Sequence, residues 1–204
     1  MFTVLVTGGM GSGKSAVCKM LAESGVPVYD CDSRVKRMYE SRPSLLEKLE
    51  TALEKSLRTA GGSLDKAKLS ASIFGDDAAR MKVESVVYPV LLADIRRWKT
   101  LHRQYPLVAV ESAIMLSKPI FDGVYDGVVL VDAPLQVRIS RVAERSGLSR
   151  EEALRRMAAQ EIPYDRAGAA IVNDGTPQEL AKKVASVFFD KNGYICKILN
   201  EDRQ

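Results

Sequence analysis

Short apolar runs rich in valine alternate along this chain with longer stretches in which apolar residues recur every three or four positions. The runs predict β-strands at Thr3–Thr7, Pro27–Asp30, Leu107–Glu111, Gly127–Val131 and Ala170–Val172. Ser15–Ser24 predicts a helix, with Val17, Met20 and Leu21 on one face and Gly25 as its stop. Thr176-Pro177-Gln178-Glu179 opens another, with threonine at the N-cap, proline at the first helical position and glutamate two residues further on. The strands are too β-branched and too continuously apolar to have a wet face. Strands covered on both sides by helices make a parallel α/β sheet.

Two long stretches break this rhythm. Ser33 to Tyr105 is mostly helical, with turn residues at Ala60-Gly61-Gly62-Ser63, and Arg141 to Arg166 is helical and arginine-rich. A sheet crossover needs one helix, so both read as insertions around a core. The 204 residues suffice for one sizeable core with a small appended subdomain. A net charge of +4 suits an anionic small molecule and carries no nucleic-acid signature. No apolar run approaches the length of a bilayer span, and no leader pattern opens the chain. Cys18, Cys31 and Cys196 are odd in number and lack metal spacing, which predicts reduced thiols in a cytoplasmic protein.

Between the first strand and the first helix lies Gly8-Gly9-Met10-Gly11-Ser12-Gly13-Lys14-Ser15, a phosphate-loop pattern. A chain that wraps a polyphosphate turns its N–H groups inward, and glycine permits the approach. The pattern predicts ATP and Mg²⁺ as cofactors, with Lys14 on the β- and γ-phosphates and Ser15 as metal ligand. The nucleotide contacts expected along the loop are Gly9, Met10, Gly11, Ser12, Gly13, Lys14, Ser15 and Ala16. The second strand ends in Asp30-Cys31-Asp32. Carboxylates at such an end would face the γ-phosphate, one accepting a proton from an attacking hydroxyl. Asp32 or Ser33 would also suit as cap of a helix beginning near Arg34. Glu111 ends the third strand and, if that strand lies beside the first, stands near the metal. Arg138, Arg141 and Arg145 share one helix face. Ser149-Arg150-Glu151-Glu152 then starts a second helix carrying Arg155, Arg156 and Gln160. Together they predict a basic lid over the phosphates.

In order along the chain, the phosphate loop, the Asp30/Asp32 pair, Gly62-Ser63-Leu64-Asp65-Lys66-Ala67-Lys68-Leu69 with Ile73-Phe74, Arg141 to Ser149, Gln160 and Asn173-Asp174-Gly175 resemble the dephospho-coenzyme A kinase family. The resemblance implies a five-stranded parallel P-loop kinase core at 1–32, 106–140 and 167–204, a helical substrate domain at 33–105 and a lid at 141–166. It implies phosphorylation of the ribose 3′-hydroxyl of dephospho-coenzyme A by ATP. Asp32, Lys14 and Arg145 fall on catalytic positions, Arg141 and Asn173 on nucleotide positions, and Asp32, Asp65, Lys66, Leu69, Tyr88 and Glu111 on acceptor positions. Departures stand at Tyr88-Pro89, where the family has His-Pro, at Ala113–Ser117, at Lys66, at Arg138 and at Gly168. A shikimate-type or nucleoside-monophosphate kinase is the nearest alternative, disfavoured by the long insertion after Ser33. A catalytically dead nucleotide-binding module is the more distant one.

Overall fold

The computed structural model describes residues 1–160 and 162–201. Five strands run β1 (Phe2–Thr7), β2 (Val28–Asp30), β3 (Leu107–Glu111), β4 (Gly127–Asp132) and β5 (Ala169–Val172). The helices are α1 (Lys14–Glu23), α2 (Cys31–Ser41), α3 (Pro43–Leu53), α4 (Lys66–Ile73), α5 (Asp77–Leu101), α6 (Leu135–Ser146), α7 (Arg150–Ala158), α8 (Pro177–Phe188) and α9 (Tyr194–Glu201). The strand order is β2-β3-β1-β4-β5. β1 lies parallel to both β3 and β4, and β4 parallel to β5. The expected parallel sheet is therefore present, with strand ends shifted by a residue. The chain leaves β1 toward one edge and returns past it toward the other, so β1 sits where the order reverses.

Both faces of the sheet are buried, as its composition requires. Val4, Val6, Ala109, Val129 and Val131 point to one face, where α1 contributes Val17, Cys18 and Leu21, and α8 contributes Leu180, Val184 and Phe188. Leu5, Val108 and Val110, alternating with these, are equally buried on the other face. Among the described residues no helix is long and apolar enough to cross a membrane.

The chain divides into two compact units, residues 1–29 with 99–204, and residues 30–98. The first unit holds the strands from β1 to β5 and, along the same chain, α6 and α7. These two helices close on each other through Ile139, Val142, Ala153 and Met157. Ser149 and Glu152 form the expected capping box at the start of α7, and Thr176 and Glu179 form that of α8. The C-terminal stretch is a packed helix. Ile195 is fully buried in the sheet core, with Tyr194, Ile198 and Leu199 against the same cluster. The glycine at 168 has its reason here, because any side chain there would collide with the Tyr194 ring.

The second unit is helical. Leu46, Leu49, Leu53 and Leu57 pack with Val83 and Val87 of α5. The buried residues of α5 (Val83, Val87, Leu91, Ile95 and Trp98) recur every three or four positions and define its inner stripe. One helix start differs from expectation. α2 begins at Cys31, not near Arg34, and its cap is neither Asp32 nor Ser33 but Asp30. The Asp30 carboxylate accepts from the Ser33 amide at 3.0 Å, which lets the helix start directly at the end of β2.

Candidate active site

The phosphate loop occupies the turn from β1 into α1. Gly13 caps α1 with φ 99°, a left-handed conformation, and offers no side-chain acceptor. The positive end of α1 is thus presented without a competing side chain. Lys14 folds back over the loop, its Nζ donating to the carbonyls of Gly8 at 2.8 Å and Gly9 at 3.2 Å. The amides of Ser12 and Ala16 close turns onto the carbonyls of Gly9 and Gly13, at 3.2 and 3.0 Å. These two expected contacts therefore have their N–H groups engaged within the loop and the first turn of α1.

β3 does lie beside β1, with Glu111 in register with Val6. This brings Glu111 to Ser15, whose hydroxyl donates to Oε1 at 2.7 Å. A hydroxyl and a largely buried carboxylate in contact are hard oxygen donors, and they fit Mg²⁺. Among the described residues, the buried side-chain oxygens without a hydrogen-bond partner belong to Thr3, Thr7, Ser12 and Asp132. Thr7 ends β1, Asp132 ends β4 and Ser12 lies in the loop itself, so these three cluster where a polar ligand would be expected.

The basic residues divide differently from the expected single lid face. Arg138 donates through Nε to the Met10 carbonyl at 3.0 Å and lies 3.8 Å from Asp132. Arg141 reaches the carbonyls of Gly11 and Ser12, each at 3.4 Å, and Asn173 Oδ1 at 3.4 Å. Asn173 is buried, and its side-chain amide donates to the Ser12 carbonyl at 2.9 Å. Gln160 accepts from the Met10 amide at 2.8 Å. Arg145 is exposed in the last turn of α6, and Arg155 and Arg156 are exposed on α7. So Arg141 and Asn173, expected as nucleotide contacts, hold the backbone of the loop. Arg138 and Gln160, expected on the lid, do the same work at Met10, a contact that nothing in the sequence located.

Among residues 30–98, Asp32 is exposed in the first turn of α2. Asp65 caps α4, accepting from the Ala67 and Lys68 amides at 3.0 and 3.1 Å. Leu69 and Tyr88 pack against the leucine cluster. Burial and the neighbouring Glu84 push the Tyr88 phenol well above its usual value. Lys66 helps to line a pocket of about 390 Å³, with Lys36, Tyr39, Arg58, Ser63 and Leu64. Burial raises the Tyr39 phenol to about 12. Sequence reasoning did not single out Lys36, Tyr39 or Arg58: Lys36 and Tyr39 lie one turn apart on α2, and Arg58, beyond α3, joins them only when folded.

A parallel sheet reversing at β1, a phosphate loop gripped on its backbone and an acid beside the loop hydroxyl together define a P-loop kinase. The dephospho-CoA kinase family model matches residues 2–179. A dephospho-CoA kinase of Bacteroides fragilis is 31% identical over 202 residues, covering 96% of this chain and 97% of that protein. A solved structure from Thermus thermophilus aligns with a TM-score of 0.74 at 34% identity, covering 89% of this chain and 93% of its own. Shikimate kinase from Acinetobacter baumannii shares the fold at a TM-score of 0.56 and 18% identity, covering 94% and 95%. The chain belongs to the dephospho-CoA kinase family.

Proposed function

We propose that this chain transfers the γ-phosphoryl group of ATP to the ribose 3′-hydroxyl of dephospho-CoA, giving ADP and CoA, the last step of CoA biosynthesis. One observation carries the reading: the family match runs from residue 2 to residue 179, through the helical insertion as well as the loop. The fold alone is shared with kinases of other acceptors.

The roles follow from chemistry. Lys14 and the amides at the start of α1 bind the β- and γ-phosphates and counter charge as it develops. Ser15 and Glu111 would hold Mg²⁺, which when bound screens the phosphate oxygens. Asp32 takes the proton of the attacking hydroxyl, whose oxygen bonds to the γ-phosphorus while the bond to the ADP oxygen breaks. Its neighbour Asp30 is engaged in capping α2, which favours Asp32 for this task. Arg145, exposed on residues 141–166, acts from the lid. The 33–105 region serves as the acceptor domain, and the pocket bearing Lys36, Arg58 and Lys66 suits an acceptor with an anionic diphosphate.

Steady-state turnover with ATP and dephospho-CoA, shikimate or nucleoside monophosphates tests the acceptor. Turnover with dephospho-CoA alone is expected, and its absence would overturn the reading. Asp32→Asn keeps shape but removes basicity, so kcat should fall by about 10²–10⁴-fold with ATP binding little changed. Parent-like turnover, or an equal loss of ATP binding, would remove Asp32 as the base.

A further inference from the structure

Of the six residues Gly8 to Gly13, four are glycine, and only Met10 and Ser12 carry side chains. A stretch so rich in glycine has much backbone freedom to lose on ordering. Both side-chain-bearing residues are anchored. Ser12 is fully buried, and its carbonyl accepts from Asn173 at 2.9 Å. Met10 is held from three directions by residues 138–160. Its amide donates to Gln160 Oε1 at 2.8 Å. Its carbonyl accepts from Arg138 Nε at 3.0 Å. Its side chain packs against the cluster that joins α6 to α7. Gln160 is in turn tied to α7, its own amide donating to the Met157 carbonyl at 3.2 Å.

We propose that Gln160 is a positioning residue for phosphoryl transfer. It acts through Met10 on the shape of the phosphate loop and does not touch the nucleotide. The Met10 amide needs an acceptor, and the carbonyl oxygen of Gln160 supplies it. With this bond in place the loop and the α6–α7 pair behave as one body, and the loop is pre-shaped before phosphate arrives. Without it the competent loop is only one of several conformers, and the apparent affinity for nucleotide falls by the fraction of molecules in that conformer. The inference rests on the reading of the loop as the ATP site.

Gln160→Leu keeps bulk and removes the acceptor, whereas Gln160→Glu keeps an acceptor oxygen. Two measurements separate the outcomes: hydrogen exchange of the Met10 amide in the unliganded protein, and ATP binding by calorimetry. In Gln160→Leu the Met10 amide should exchange at least about tenfold faster and ATP should bind roughly tenfold more weakly, with kcat at saturating ATP changed far less. In Gln160→Glu the Met10 amide should stay protected. Unchanged ATP affinity in Gln160→Leu would overturn the proposal. So would weakened binding with Met10 still protected, which would mean direct contact with the nucleotide. If Gln160→Leu does not fold, loss of Met10 protection in folded Gln160→Glu overturns it as well. Failure of the parent protein to bind ATP would instead sink the reading of the loop, while Met10 exchange would still report on the clamp.

Discussion

A methyl group on Gly13 would collide with the side-chain amide of Asn173 and would have to sit at φ 99°. Two faults thus meet at one atom: a strained backbone and a displaced support of the Ser12 carbonyl. Gly13→Ala should lower kcat/KM for ATP by about 10²-fold while the protein stays folded, as steady-state kinetics and circular dichroism would show. Near-parent kinetics would mean that the loop tolerates a different shape. At this scale the sequence told much about identity and less about role. Lys14, Ser15 and Glu111 stood out in the sequence as candidates for phosphate and metal, and the Ser15–Glu111 contact at 2.7 Å brings the last two together. Arg141 and Asn173 were legible as site residues, but whether each holds nucleotide or loop depends on where neighbouring carbonyls point. Tyr88 stands out in the sequence as a departure, and in the structure it packs against the leucine cluster beside Glu84.

Helix starts are the best test of what local chemistry specifies. Thr176 accepts from the Glu179 amide at 3.2 Å, and the Glu179 carboxylate accepts from the Thr176 amide at 2.7 Å. Thr176→Ala removes the first bond and leaves a helix donor unpaired, at a cost of about 1 kcal/mol. The melting temperature should drop by roughly 2–4 °C for a chain of this size, with kinetics unchanged at assay temperature. No shift in Tm would show the cap to be replaced by water. The α7 and α8 boxes were readable because all their partners lie within four residues. The start of α2 was not, since Asp30, Asp32 and Ser33 are all good caps. The choice of Asp30 follows from the extended backbone that β2 hands to it, φ −86° and ψ 106°.

For the molecule as a whole, the two units give the proposed reaction a division of labour that can be measured. Dephospho-CoA should slow amide exchange within residues 30–98, around Asp65–Leu69 in particular, and ATP should slow it in residues 8–16. Protection of residues 30–98 by ATP alone, with none added by the acceptor, would remove that unit as the acceptor domain. The sequence by itself determined the α/β class, the parallel sheet, the phosphate loop and the capping boxes. Each of these is written in spacings of a few residues, in the short continuous apolar runs of the strands and in the glycines that permit a turn. Tertiary structure alone decided which side chains hold the loop. Gln160 meets Met10 across 150 residues, Asn173 meets Ser12 across 161, and Glu111 meets Ser15 across 96. Contacts at such separations leave no periodicity behind, and they exist only because the parallel order brings the carboxyl ends of β1, β3, β4 and β5 to one edge of the sheet.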